Sequence, residues 1–358
     1  MYKVHLLPAT FGDSILIEYG TSRDPKYILI DGGPYYVFDE LWAAIKQVAP
    51  DIRELELLVV THIDIDHIDG VIKLLNAQGL PFGVKEIWFN GREQLGMAAE
   101  ILDPSDLGSL QGEFLTMLIK QNSYAHNTTH FKGGPVCVRD YNELPEIILD
   151  GGMKITLLSP GIKDLVDLIP VWDQELKDRD PAEEWGEETR YEATLSSHIE
   201  QLQEMEFKAD KSEANCSSIA FIATYNYMTC LFAADAPSHK LLAAIEPMLD
   251  KSGNQRLEID AWKLAHHGSK KSTQDSIMSK IHSRHILVSS DGKRYKHPDE
   301  AVIAKLLRHN VRDMVFHFNY QTEFNDMWDN EDLKAEYNYS TIYPKIVDSP
   351  GITVELTN

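Results

Sequence analysis

The chain contains no apolar run approaching the roughly 20 residues that cross a bilayer, so no membrane-spanning segment is expected. Its opening, MYKVHLLPAT, lacks the basic stretch and apolar core of a secretory leader, and a cytoplasmic location is expected. Cysteine is scarce. Cys137, Cys216 and Cys230 share no CxxC spacing, and an odd number without an export signal argues for reduced, mostly buried thiols rather than disulfides. Basic residues are outnumbered, 34 Lys and Arg against 56 Asp and Glu, for a formal charge of -22. That deficit works against holding nucleic acid over a wide surface, because phosphates are held mainly by Lys and Arg. The signatures of several catalytic classes are also missing: there is no GxSxG, no Walker loop and no GxGxxG preceded by a strand.

At 358 residues and 43% hydrophobic, the chain can bury a sizeable core, suiting one large domain with insertions or two modest ones. KVHLL, SILIEY and YILID predict three early strands, FDELWAAIKQVA an amphipathic helix, LELLVV a fourth strand and HIDGVIKLLNAQG a second helix, followed by a strand at KEIWFN. Residues 92–121 look helical and KITLLSP is a strand. The segment from Lys163 to Glu213 carries about ten net negative charges, includes DRDPAEEWGEE and looks like an insertion with a solvated face. SIAFIAT and TCLFAADA suggest a hairpin. Helix SHKLLAAIEPML, strand IDAWKLAHHGS, helix STQDSIMSKI, strand HILVSSDG and helix DEAVIAKLLRH complete a pattern of sheets inside and helices outside.

The stretch THIDIDHIDG packs two histidines and three aspartates into eight positions directly after a buried strand. If the chain leaves that strand extended, His62, Asp64 and Asp66 point one way, and a tight turn can bring His67 back toward them. Carboxylates so crowded would repel one another, and divalent cations are the economical compensation; the bland alternative is a surface turn in which Asp69 caps a helix. Other strand ends carry similar chemistry. LFAADA ends in Asp235, KLAHHGS in His266 and His267, and LIDGG in Asp31, while NCSS places Asn215 and Ser217 at the start of another strand.

The order GDSILIEYG, YILIDGG, THIDIDHIDG, NCSSIAF, LFAADA, KLAHHGS resembles the metallo-β-lactamase fold superfamily, most of all the hydrolase domain of ComEC-type DNA-uptake proteins and their stand-alone relatives. The resemblance covers about residues 1–298. It implies an α/β fold, a four-layer αβ/βα sandwich with two insertions, as a single domain over 1–358. The insertions would span about 91–150 and 161–213, with a C-terminal extension over about 315–358. It implies metal ligands at His62, Asp64, Asp66, His67, Asp235 and one histidine of HHGS, with His266 favoured over His267, and an orienting role for Asp31. Two positions depart from the pattern, since Asp64 and Asn215 stand where the commoner members have histidine. The resulting oxygen-rich position suits manganese or stays empty, and the position formed by Asp66, His67, Asp235 and a HHGS histidine suits zinc. One or two divalent ions, Zn or Mn, are therefore expected.

KRYKHP resembles the family's later His-Pro loop, bringing Lys293, Arg294, Tyr295, Lys296 and His297 toward the same rim, where a basic cluster would grip phosphate; an exposed turn is the alternative. Ser217 is a further substrate-side candidate. The expected mechanism is metal-activated water. Asp66 and Asp235 are the candidates to accept its proton, and His297 and His267 to donate one to the leaving group. The expected activity is that of a phosphodiesterase or nuclease on DNA ends, single strands or a nucleotide. Two alternatives stand beside it: a hydrolase of thioester, lactone or lactam bonds, or a non-enzymatic interaction module whose metal site is structural or degenerate. A homodimer, or a protein partner met through the acidic insertion, is the expected association.

Overall fold

The strands alternate as sheet geometry demands, and the alternation sorts their side chains into separate layers. In the computed structural model Ile15, Ile17, Ile28, Ile30, Leu57 and Val59 face one apolar cluster, while Leu16, Leu29, Leu58 and Val60 between them face another. The structure describes all residues except 77–81, 103–113, 171, 173–194, 310–312, 346–350 and 358. Among the described residues one sheet runs, edge to edge, Ile352–Glu355, Tyr2–Leu6, Ile15–Thr21, Asp24–Ile30, Leu57–Val59, Ile87–Trp88. A second runs Tyr339–Ile342, Met314–Phe318, Ile281–Val288, Leu257–Lys263, Met228–Phe232, Ala220–Tyr225, Lys154–Ser159, Glu146–Ile148.

The two sheets meet face to face through Val4, Ile17, Ile30 and Trp88 on one side and Leu157, Phe221, Phe232 and Leu287 on the other. Helices cover both outer faces. Leu41 and Ile45 of Phe38–Val48 and Val71, Leu74 and Leu75 of Ile65–Asn76 pack on the first sheet. Leu241 and Ile245 of Ser238–Ser252 and Val302, Ile303 and Leu306 of Glu300–His309 pack on the second. Fully burying one such aliphatic side chain is worth about 1.5–3 kcal/mol, so the three clusters together hold the four layers in register. The layering is that of the metallo-β-lactamase sandwich.

Several elements differ from the sequence expectation. LELLVV divides at Glu56: its N–H bonds the Tyr27 carbonyl (2.8 Å), and its carboxylate is buried against Tyr19 and the Gly151 N–H, interrupting the run. The second helix starts at Ile65, so Asp66 and His67 lie in its first turn rather than on an extended strand end. The Asp64 carbonyl caps it, accepting from the N–H groups of His67 and Ile68 (both 3.0 Å). The strand through IDAWKLAHHGS stops at Lys263, so strand alternation does not reach the histidine pair. STQDSIMSKI supplies only the short helix Asp275–Met278.

Residues 91–150 contain the helices Arg92–Leu102, Phe114–Gln121 and Thr128–Phe131 and the edge strand Glu146–Ile148. Residues 161–213 contain Ile162–Leu168 and Leu195–Gln203, and DRDPAEEWGEE lies outside the described residues. Residues 315–358 hold most of Met314–Phe318 and all of Tyr339–Ile342 and Ile352–Glu355. No helix among the described residues is long and apolar enough to cross a membrane.

Candidate metal centre

Each site residue follows the carboxyl end of a strand that runs parallel to a neighbour, where loops of α/β sheets converge. Asp31 follows Asp24–Ile30, His62 follows Leu57–Val59, Asp235 follows Met228–Phe232, and the histidine pair follows Leu257–Lys263. The turns are tight. Asp31 (φ 58°), Ala234 (φ 47°), His266 (φ 50°) and His267 (φ 56°) all occupy the left-handed region, a cost that structures accept mainly where side chains must be aimed.

Asp31 is fully buried and uses both oxygens. One accepts the Thr61 N–H (2.8 Å); the other accepts the Thr61 hydroxyl and His67 Nδ1–H, both at 2.8 Å. His67 is thereby locked with Nε2 turned inward. His267 donates Nδ1–H to the Ser289 carbonyl (2.9 Å), which likewise turns its Nε2 inward. His62 Nδ1 lies 2.9 Å from the Thr61 hydroxyl. The Nε2 atoms of His62, His67 and His267 and the Oδ1 of Asp235 are buried without a hydrogen-bond partner among the described residues.

These atoms face one another at distances too long for hydrogen bonds. His67 Nε2 is 3.4 Å from Asp235 Oδ1 and 3.8 Å from Asp66 Oδ2. His62 Nε2 is 3.4 Å from Asp64 Oδ2 and 3.9 Å from Asp235 Oδ2, and His267 Nε2 is 3.4 Å from Asp66 Oδ2. Two donors each about 2.1 Å from a tetrahedral ion sit roughly 3.4 Å apart, so the spacing fits shared cations better than direct bonds. Two groups satisfy this: His62, His67 and Asp235, and Asp66, His67 and His267. The imidazole and carboxylate donor set, with its unpartnered inward atoms, fits one or two divalent ions.

The site's charges oppose their burial. Burial would raise the Asp235 carboxyl, yet His266, His67 and His267 hold it well below the usual range. Asp66 is lowered in the same way by His67 and His267. Burial works against a charged His267, but Asp13 and Asp235 bring it up to about 9; His67 is raised by Asp235, Asp66 and Asp31.

His266 sits differently from its neighbour. Its Nε2 is 3.7 Å from Asp235 Oδ2, and its Nδ1 meets Asn215 Nδ2 (3.3 Å), the Ser272 hydroxyl (3.3 Å) and Asp210 Oδ2 (3.5 Å). Asn215 donates to Asp210 (2.7 Å), while its Oδ1 is buried without a partner. The Ser217 hydroxyl is buried and donates to the Ala214 carbonyl (2.6 Å), closing a local turn. The His297 ring lies 5.6 Å from that of His266; burial and the neighbouring His266 and His267 hold it well below the usual imidazole range. Lys293, Tyr295 and Lys296 are exposed on the same loop, and Arg294 lies over the rings of Phe11 and Tyr295.

Three site neighbours were not singled out from the sequence. Lys263 Nζ and Asp13 Oδ2 form an ion pair of 2.7 Å, both side chains almost fully buried, and Asp13 Oδ1 lies 3.4 Å from His267 Nδ1. Asp210, beside His266, lies within the acidic stretch read as a solvated insertion. The GDS turn was a visible signal for Asp13; nothing local marked Lys263.

No curated protein sequence matches the chain significantly. Among solved structures, similarity extends to Zn(2+)-bound PqqB from Methylobacterium extorquens, at 13% identity and a TM-score of 0.43, covering 99% of this chain and 100% of that one. It extends also to CmlA, a diiron β-hydroxylase from Streptomyces venezuelae, at 11% identity and a TM-score of 0.41, covering 99% of this chain and 54% of that one. Asp13, Asp31, His62, Asp64, Asp66 and His67 all fall within residues 7–133, the part of the chain that matches the family model described as the metallo-beta-lactamase superfamily.

Proposed function

We propose that this chain is a metal-dependent hydrolase of phosphodiester bonds, acting on a single-stranded nucleic-acid end or a nucleotide. The observation that carries the proposal is the convergence of the unpartnered Nε2 atoms of His62, His67 and His267 on the carboxylates of Asp66 and Asp235. Those five residues would hold one or two divalent ions, zinc or manganese, with Asp64 beside them. Such ions supply water activation near neutral pH and polarisation of the bond under attack. Asp66 is the more accessible of the two inner carboxylates, 12% against 2% for Asp235, and is assigned to accept the proton of water at Oδ1, since its Oδ2 is the oxygen turned toward His67 and His267. Asp31 and the Ser289 carbonyl keep His67 and His267 aimed. His297 is placed to hydrogen-bond the leaving oxygen.

The phosphodiester assignment is supported by the cations of the 293–296 loop, which stand out in a chain of charge -22. The test is hydrolysis of bis-p-nitrophenyl phosphate with zinc, manganese or chelator, alongside the metal content of protein purified without added metal. Metal-dependent turnover that falls by about 10²-fold or more in Asp66→Ala is expected. Bound metal with turnover only on ester or lactam probes would overturn the phosphodiester assignment, and bound metal with no turnover on any probe would overturn the hydrolase.

A further inference from the structure

A line of rings leads outward from the metal centre. The His266 and His297 centroids are 5.6 Å apart, His297 and Tyr295 6.1 Å, Tyr295 and Phe11 5.8 Å, and Phe11 and Tyr36 6.4 Å. Exposure alternates along it: the His297 side chain is 12% exposed, Tyr295 41%, Phe11 6% and Tyr36 64%. Two exposed tyrosines thus flank a buried phenylalanine. Over that phenylalanine lies the Arg294 guanidinium, 4.4 Å from its ring centroid and 5.1 Å from that of Tyr295, with Nε buried and lacking a hydrogen-bond partner. Tyr36 is fixed in place, its hydroxyl 3.0 Å from Thr10 Oγ1, while the Thr10 N–H donates to Tyr320 (2.9 Å).

We infer that this track is a binding platform for a single-stranded nucleotide chain, with one base on Tyr295, the next phosphate on Arg294 and a further base on Tyr36. The inference rests on the phosphodiesterase reading for its direction, since the track delivers the strand to the ions. Charge and spacing select the occupant. Ring and cation alternate as base and phosphate do, and Lys293, its side chain 80% exposed, adds positive charge beside Arg294. The nearest acid on that loop, Asp291, is buried; its Oδ1 accepts the Lys293 N–H (3.0 Å) and its Oδ2 lies 3.9 Å from Lys293 Nζ, a loose pair that leaves the ammonium largely in solvent. The two base sites are set two ring steps apart, 5.8 Å from Tyr295 to Phe11 and 6.4 Å from Phe11 to Tyr36, with Arg294 over the ring between them, so the two bases bind separately on an unpaired strand rather than stacked on each other as in a duplex. A short track of this kind asks for few phosphate contacts, which suits an acidic protein.

The test is equilibrium binding, by fluorescence anisotropy in chelator, of a labelled four-nucleotide deoxythymidylate against an abasic oligomer with the same number of phosphates. The full chain is used, as wild type, as Tyr36→Ala/Tyr295→Ala and as Tyr36→Phe/Tyr295→Phe. The base-bearing strand is expected to bind at least about tenfold more tightly than the abasic one. That ratio is expected to fall toward one in the alanine pair and to survive in the phenylalanine pair, which keeps the rings and guards against a simple folding defect. Equal binding of the two oligomers, or a ratio unmoved by the alanine substitutions, overturns the platform. Failure to hydrolyse any phosphodiester alongside an intact base-dependent ratio would remove the catalytic reading and leave the platform standing.

Discussion

Replacing Lys263 with methionine isolates the buried ion pair behind the histidine loop. Lys263 is 0% and Asp13 1% exposed, their charged atoms are 2.7 Å apart, and Lys263 Nζ donates also to the Leu264 carbonyl at 3.2 Å. Lys263→Met keeps the side chain's length and apolar stem but takes the lysine from the Asp13 carboxylate, leaving only His267 Nδ1, 3.4 Å from Oδ1, beside it. Breaking such a pair from one side costs about 3–5 kcal/mol, a large part of the 5–15 kcal/mol that holds a typical domain. Asp13→Asn together with Lys263→Met removes both charges of the pair and is expected to cost about 1–2 kcal/mol. The assay is urea denaturation of the two single variants and the double variant, all in chelator so that metal binding does not add to apparent stability. A cost below about 1 kcal/mol for Lys263→Met, or a double variant whose loss equals the sum of the singles, would refute the reasoning.

Three further outcomes follow from the geometry. Asp31→Asn places an amide where two acceptor oxygens serve Thr61 and His67, so His67 loses its aim; metal affinity, measured by competition with a chromophoric chelator, is expected to fall about 10–100-fold. A methyl group at Gly70 would sit 1.8 Å from the Gly32 carbonyl oxygen, where the second helix crosses the LIDGG turn, so Gly70→Ala is expected to cost at least about 1–3 kcal/mol and to lower the melting temperature by several degrees. His317, 2.9 Å from His285 and far along the second sheet, is pushed down to about 3 by burial and by His285. Because its folded value is depressed, the neutral form contributes fully above the ordinary value near 6.5, and that stability is lost as pH falls toward 3, at up to about 1.4 kcal/mol per unit. His317→Gln is expected to recover about 2–3 kcal/mol of the loss between pH 7 and pH 4.5 in paired urea titrations; an unchanged loss would count against a neutral His317.

How much of this was legible in the sequence depended on how local each feature is. His62, Asp66 and His67 stood out because they crowd directly after the apolar run LELLVV, and Asp235 because it ends LFAADA; the fold carries them together at one edge. The conformation of His266 and His267 was not legible: two consecutive left-handed residues have no propensity signal, and only the path from Lys263 back toward Ser269 requires them. Asp13 and Lys263 lie 250 positions apart, and nothing in IDAWKLA distinguishes a lysine that enters the core from one that points to water. The boundary at Ile65 was missed because THIDID alternates like a strand while the Asp64 carbonyl is already capping a helix.

The strand Ile352–Glu355 pairs with Tyr2–Leu6, and His5 Nδ1 meets the Thr353 hydroxyl at 2.8 Å across 348 positions of chain. A ribosome making this polypeptide therefore leaves the flank of Tyr2–Leu6 without its hydrogen-bonding neighbour until the segment Ile352–Glu355 has emerged. During that interval an unpaired strand is open to pairing with another nascent chain. Contacts of such high sequence separation also form late, because the closure entropy of the whole loop must be met first. Refolding is accordingly expected to leave this edge for last, and removing Ile352–Glu355 would favour aggregation through the exposed Tyr2–Leu6 edge while sparing the residues around Asp235.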